Sequence, residues 1–385
     1  MIPYGRQEIS QRDIDAVVEV LKSDFLTQGP LSSRFESAIA EYCTARYGVA
    51  TNSATSALHI ACLALDVGPG DSVWTSPISF VASSNCALYC GASIDFVDID
   101  PKTYNLCPIA LEEKLVKAEK EGQLPKVVIP VHLCGQSCDM QAIHALGQRF
   151  GFAIIEDASH AIGGRYMGRA IGGGQYSDIT VFSFHPVKII TTAEGGVAVT
   201  NNPELADNMA RLRSHGITRD ASRMKGNSDG PWYYEQLSLG FNYRMTDMQA
   251  ALGLSQLERL DTFIESRQRI AARYDQLVKD LPLTPPWQHP DVYSARHLYV
   301  IRLELSAMQQ THREVFQCLR DGGIGVNLHY IPIYRHPYYA KIDNWSDRFP
   351  EAEKYYAEAI SIPMYPGLSE VQQTEVLNVL RRAIK

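Results

Sequence analysis

Val127-Val128-Ile129-Pro130-Val131, then Ala153-Ile154-Ile155-Glu156, then Ile179-Thr180-Val181-Phe182: these three runs decide the fold. Each is short, almost wholly apolar and rich in β-branched residues. A helical pattern over residues 140–150 separates the first two. Strands that are apolar on both faces and alternate with helices belong to a mostly parallel sheet covered on each side. Ser72-Val73-Trp74-Thr75 and Ile94-Asp95-Phe96-Val97 add strands upstream, and Val197-Ala198-Val199-Thr200 adds one downstream.

Helix signals frame these strands. Ser10 with Asp13 caps a helix whose apolar residues Ile14, Val17, Val18 and Leu21 share one face. Residues 55–65 read as another helix. Thr246 with Gln249 forms a capping-box pattern that opens a long helical stretch to about residue 281. A Pro-rich segment, 281–290, ends it. Beyond lie a strand over 297–303, a helix over 311–321 and a strand over 324–329. The expected division is a large α/β/α domain over 1–260 and a smaller α+β domain over 261–385. The bridging helix lies at the boundary, and the N-terminal segment is free to pack with the small domain.

Composition narrows the class. Of 385 residues, 45% are hydrophobic, which is enough for a sizeable core. Acidic residues outnumber basic ones, 43 to 36, with no basic block, which argues against nucleic acid as a partner. The first residues lack the basic start and apolar run of a signal peptide, and no stretch reaches membrane-spanning length. The expectation is a cytoplasmic protein without a membrane partner. The eight cysteines lie mostly in apolar runs and read as reduced, buried thiols. Cys134 and Cys138 have no companion pair at zinc spacing, so no metal is expected.

In open α/β sheets, ligands sit beyond the carboxyl ends of the strands, and three features fall there. Asp157 follows an apolar strand and needs a partner if buried; alone, it reads equally as a helix cap. Lys188 lies in a loop after Phe182-Ser183-Phe184-His185-Pro186-Val187, among apolar neighbours that can lower its pKa; alone, it reads equally as a surface lysine. Asn52-Ser53-Ala54-Thr55-Ser56-Ala57 opens a helix with small residues, suited to a phosphate or to a plain N-cap.

Order and spacing add what each feature lacks alone. Thr51-Asn52-Ser53-Ala54-Thr55-Ser56-Ala57-Leu58, Gly68-Pro69-Gly70-Asp71, Ser79-Phe80-Val81-Ala82, Glu156-Asp157-Ala158-Ser159-His160-Ala161, Ser183 to Lys188 with Glu194-Gly195-Gly196, and Gly240-Phe241-Asn242-Tyr243-Arg244-Met245 occur in this order. With them the chain resembles the DegT/DnrJ/EryC1/StrS sugar aminotransferases over nearly its whole length. The resemblance implies fold type I of the aminotransferases dependent on pyridoxal 5'-phosphate, and a homodimer with shared active sites. Lys188 would carry the cofactor covalently and shuttle a proton. Asp157 would pair with its ring nitrogen, Phe80 would stack on the ring and His160 would sit near its phenolic oxygen. Ser53, Ala54, Thr55 and Ser183 would hold the phosphate, with Asn242 reaching across from the partner subunit.

Finer matches resemble the branch of that family in pseudaminic acid biosynthesis. They include Ile2-Pro3-Tyr4-Gly5-Arg6-Gln7, Ser23 to Pro30, Trp74-Thr75-Ser76-Pro77 and Cys86 to Ala92. This likeness implies L-glutamate as donor, giving 2-oxoglutarate, and C4 of UDP-2-acetamido-2,6-dideoxy-β-L-arabino-hexos-4-ulose as acceptor. Tyr4, Gln28, His329 and Tyr330 are the expected sugar contacts. Ile189 and Ala193 depart from the pattern, where Pro and Gly are expected. Another 3- or 4-keto nucleotide sugar is the main rival acceptor. Deoxysugar dehydrases with this fold have His in place of the lysine, and Lys188 argues against them.

Overall fold

The protein is described from a computed structural model covering residues 1–345 and 348–385. Seven strands form the main sheet, in the spatial order Tyr47–Thr51, Gly196–Thr200, Ile179–Ser183, Ala153–Asp157, Val127–Ile129, Ser72–Thr75, Ser93–Phe96. The five from Ile179–Ser183 to Ser93–Phe96 are parallel. Gly196–Thr200 runs antiparallel to both of its neighbours. The carboxyl ends of the parallel strands therefore share one edge, and Asp157 and Ser183 both end on it.

Every residue of the central Val127–Ile129 and Ile179–Ser183 strands is buried. That two-sided burial is why they read as unbroken apolar runs. Leu58 and Ile60 of the helix Ala54–Ala64 and Ile155 and Val181 of the sheet are fully or almost fully enclosed in one core. Side chains of this kind each contribute about 1.5–3 kcal/mol on burial. The edge strand Tyr47–Thr51 escaped the sequence reading. It starts at the surface, carries Gly48 and lacks a β-branched run. A Cβ at Gly48 would lie 2.5 Å from the Glu36 carbonyl oxygen, so close helix packing accounts for the glycine.

Residues beyond 260 build a second core around the antiparallel sheet Leu283–Thr284, Tyr299–Leu303, Ala359–Ile362. The helices Leu260–Leu277, His312–Asp321 and Glu370–Ala383 cover it. Ile2 from the N-terminus joins this core.

Two expectations need correction. The long helix after Thr246 is two helices, Asp247–Leu257 and Leu260–Leu277. The break falls at Arg259 (φ −106°, ψ 3°), whose guanidinium is drawn to Glu8 (3.0 Å) and to the buried Asp13 (2.6 Å). Residues 324–329 form no strand, only single bridges from Ile324 to Ile2 and from Asn327 to Ser361. The N-terminal segment takes up the hydrogen bonds at 323 and 325: Ile2 N–H donates to the Gly323 carbonyl and Gly325 N–H to the Ile2 carbonyl.

Candidate active site

Asp157 ends its strand buried, with Oδ2 accepting from Ser83 Oγ at 2.7 Å and Oδ1 from the Ser159 N–H at 3.1 Å. Ser83 in turn bonds Ser79 Oγ at 2.7 Å. Both donors to the carboxylate are neutral, and no cation lies within ion-pair distance among the described residues. The sequence reading missed Ser83. Its signal was modest: Ser79 and Ser83 flank Phe80 at the start of the helix Ala82–Tyr89, four residues apart.

Lys188 stands in the loop 184–195. Ile189 and Ile190 anchor that loop in the core, and the Phe184 N–H donates to the Gly195 carbonyl at 2.9 Å. Burial pushes the Lys188 amine down to about 8, and the Asp157 carboxylate opposes the fall. A substantial neutral fraction of Lys188 therefore exists near pH 8, and a neutral amine is the nucleophilic form.

His160 is buried beside this pair. The Cys134 N–H donates to its Nδ1 at 3.3 Å, which requires a lone pair there. Burial first, and then the nearby Lys188 charge, hold the imidazole well below its ordinary pKa. The neutral ring therefore carries its proton on Nε2 and donates to Tyr330 Oη at 3.1 Å. His297 lies behind it, ring to ring at 4.4 Å, and is likewise kept neutral by burial. His297 is visible only in the fold, because no motif marks it.

Small-domain residues close the other side. His329 bonds Ser361 Oγ at 2.8 Å, and burial and the Lys188 charge push its pKa down to about 3. Tyr4 packs against it, with ring centroids 5.4 Å apart. Tyr330 spans the cleft between His160 and Phe80, 6.3 Å from the latter. Phe80 is 59% exposed, leaving much of an aromatic ring open beside the cleft.

The helix Ala54–Ala64 completes the arrangement. Ser53 Oγ accepts from the Ser56 N–H, leaving the Ala54 and Thr55 N–H groups at an open helix start. Ser183 pairs with Gly196 in the neighbouring strand. A Cβ on Gly196 would lie 2.5 Å from the Ala54 nitrogen, so only glycine permits this approach. Gly196 thus joins Ser53, Ala54 and Ser183 in one cradle. Gln28 is exposed at φ 57°, and neither its side chain nor that of the exposed Asn242 makes a hydrogen bond among the described residues. The structure does not bring these two into the Lys188 cluster of the same chain.

These residues suit pyridoxal phosphate. They offer a half-buried amine of lowered pKa for its aldehyde, a buried acid with no cation of its own for its ring nitrogen, an exposed aromatic ring and a glycine-walled helix start for its phosphate. No group of three or more metal-ligating side chains occurs among the described residues. Nor is any of their helices long and apolar enough to cross a membrane.

Comparison with known proteins agrees in kind. The model of the DegT/DnrJ/EryC1/StrS aminotransferase family matches residues 7–381. The spore coat polysaccharide biosynthesis protein SpsC of Bacillus subtilis is 39% identical over 387 aligned residues, covering 100% of this chain and 97% of that protein. Among solved structures, Helicobacter pylori PseC, an aminotransferase of pseudaminic acid biosynthesis, superposes with TM-score 0.90 at 31% identity, covering 100% and 99% of the two chains. The putative sugar aminotransferase Spr1654 of Streptococcus pneumoniae, in its pyridoxamine-phosphate form, gives TM-score 0.90 at 30% identity with the same coverage. Fold and relatives together define a sugar aminotransferase dependent on pyridoxal phosphate. Within that class, the chain belongs to the DegT/DnrJ/EryC1/StrS family.

Proposed function

We propose that this aminotransferase moves the amino group of L-glutamate to C4 of UDP-2-acetamido-2,6-dideoxy-β-L-arabino-hexos-4-ulose, in pseudaminic acid biosynthesis in the cytoplasm. The motif likeness and the PseC neighbour support the acceptor. The observation that carries the chemistry is Lys188, an amine of lowered pKa within electrostatic reach of the unpaired Asp157.

Pyridoxal phosphate, when bound, supplies a carbonyl that exchanges amino groups and a ring that absorbs electrons. Lys188 would hold it through its amine and would be the acid–base group for the proton at the donor's α-carbon. Asp157, oriented by Ser83, would pair with the cofactor's ring nitrogen and favour the protonated form. His160, whose Nε2–H is held by Tyr330, would sit near the cofactor's phenolic oxygen. Ser53, Ala54, Thr55 and Ser183 bind the phosphate. By the family likeness, Asn242 would reach the phosphate in the site of a second copy, in a homodimer with shared active sites. Tyr4, Gln28, His329 and Tyr330 contact the sugar.

One observation favours a second acceptor. SpsC, described by spore coat polysaccharide rather than pseudaminic acid biosynthesis, is more similar in sequence than PseC, at 39% against 31%, which supports another 3- or 4-keto nucleotide sugar. Incubating the holoenzyme with glutamate and a panel of such nucleotides decides between them. Mass and NMR of the product should show nitrogen on C4 of the β-L-arabino compound. Amination of a different acceptor, with that compound untouched, would sink the first reading.

A further inference from the structure

The helix Ala54–Ala64 starts at the phosphate cradle and packs along the helix Ala82–Tyr89. Three thiols meet where the two helices pack. Cys86 and Cys90 stand four residues apart, so they share one helix face. Cys62, on the other helix, lies within hydrogen-bonding reach of both. Cys62 and Cys86 are fully enclosed, whereas Cys90, capping the end of its helix, is 9% exposed. As a thiol, Cys90 donates to the Cys86 carbonyl at 3.2 Å.

His59 stands about one turn before Cys62 and completes the group. Its ring is buried, and its Nε2 has no hydrogen-bond partner among the described residues. Nδ1 bonds Tyr243 Oη at 3.2 Å. The rings of Tyr89, Phe241 and Tyr243 hold the imidazole, with centroids 4.8 to 5.9 Å away. When Tyr243 Oη donates to Nδ1, Nε2 carries the ring proton, and the Cys90 sulfur is within its reach. The sulfurs and Nε2 do not close on a common point that could hold a metal ion.

Burial by itself favours the protonated, inert thiol. It pushes Cys43 and Cys134 up to about 12. In the three-thiol group the protons are shared unequally. Hydrogen bonding to Cys86 and Cys90, with burial, drives Cys62 up, so it keeps its proton. The Cys62 hydrogen bond, helped by His59, drives Cys90 down against the effect of burial. Cys90 is thus the sulfur that ionises, and Cys62 the thiol that donates to it. A thiolate beside an imidazole, with a second thiol in reach, is suited to react with oxidants.

We propose that Cys90 is a peroxide-sensitive thiol and that Cys62 resolves it, closing a disulfide between the two helices. The Cys90 sulfur attacks one peroxide oxygen. An S–O bond forms, the O–O bond breaks, and the departing hydroxide takes up a proton to become water. The Cys62 sulfur then attacks the sulfenic sulfur. The S–S bond forms, the S–O bond breaks, and hydroxide leaves with the Cys62 proton as a second water. Two electrons pass from the sulfur pair to the peroxide, and a dithiol reductant returns them. Cys86 is the poorer partner for Cys90. Residues four apart on a helix keep their Cβ atoms about 5–6 Å apart, and a disulfide takes about 3.5–4.5 Å. In a reducing compartment the bond is transient. It ties together the helices whose first turns carry Ala54 and Thr55 on one and Ser83 on the other.

The test treats the holoenzyme with a small excess of hydrogen peroxide, caps free thiols with iodoacetamide and maps peptides by mass spectrometry. The Cys62 and Cys90 peptides should appear joined, and dithiothreitol should part them. Cys90 should be consumed ~10-fold faster than the partly exposed Cys107 and Cys318. In Cys62→Ala, oxidation should stop at the sulfenic acid, which dimedone traps on Cys90. His59→Gln should slow the consumption of Cys90 ~3- to 10-fold. A Cys90 no more reactive than Cys318 overturns the proposal, as does a disulfide other than Cys62–Cys90. Mapping the wild-type enzyme needs no substitution, so a variant that fails to fold leaves the test intact. It needs no keto sugar either, so the proposed acceptor and this inference stand or fall separately.

Discussion

Glu156 and Asp157 are consecutive residues of one strand, turned to opposite faces of the sheet. Both are buried carboxylates, but their surroundings differ. Glu156 bonds His132 Nε2 at 2.6 Å and accepts from Ser177 and Thr180 hydroxyls. His132 is itself fixed by the Cys138 N–H at 3.1 Å. Burial would raise the Glu156 pKa, yet His132, Ser177 and Thr180 together bring it below the usual value. Among the described residues, Asp157 receives only one hydroxyl and one backbone N–H. The lesson is that a completed network holds a fold together, whereas an acid left short of a cation is available for a ligand.

The comparison breaks most easily at the Asp157 face. Lys188→Ala should abolish the aldimine-range absorbance of the purified protein and lower turnover by at least ~10³-fold. Its melting temperature without cofactor should hardly change. Asp157→Asn should keep the Ser83 bond and the fold but lower turnover by ~10²–10⁴-fold. A Lys188→Ala enzyme with normal turnover would end the assignment.

The Glu156 face should respond in the opposite sense. Glu156→Gln leaves His132 without its acidic partner and should cost about 1–3 kcal/mol of stability by denaturant titration. Turnover per folded molecule should stay within a few-fold of wild type. A large activity loss without destabilisation would erase the contrast between the two faces.

Protonation sharpens it further. Capture of pyridoxal phosphate by the apoenzyme needs the neutral amine. With Lys188 at about 8, the stopped-flow rate should rise through pH 7–8 and level off near pH ~9. On the acid side, His160, His297 and His329 are neutral in the fold. The unfolded chain gains protons near pH ~6.5 that the folded chain refuses, His329 down to about 3. Stability should therefore fall as pH drops below that point, by about 1.4 kcal/mol per pH unit for each excluded imidazole. His329→Asn should flatten the slope in a pH series of urea midpoints.

The smallest effect concerns the loop that carries Lys188. Ala193 adopts φ 64°, in the left-handed region where glycine is at ease. Ala193→Gly relieves that strain but loosens the unfolded chain, so the net gain should be under about 1 kcal/mol. Turnover should be unchanged.

Much of the fold was legible because its signals are local. Two-sided burial writes itself as apolar runs at 127–131, 153–156 and 179–182. Capping boxes announced the helices at Ser10 and Thr246. What escaped depended on distant partners. The strand Tyr47–Thr51 is held by its pairing with Gly196–Thr200, and Arg259 breaks a helix because acids from the N-terminus reach it.

For the site, the sequence by itself determined the chemical cast: a lysine after one strand, an acid at the end of another and a small-residue helix start, in an order that marks the family. Only the tertiary structure decided their states. The lowered amine at 188, the single tautomer at 160 and the hydroxyl at 83 feeding the acid all arise from desolvation and hydrogen bonding between segments far apart in the chain. Those effects depend on distance and on exclusion of water, which residue order alone does not specify.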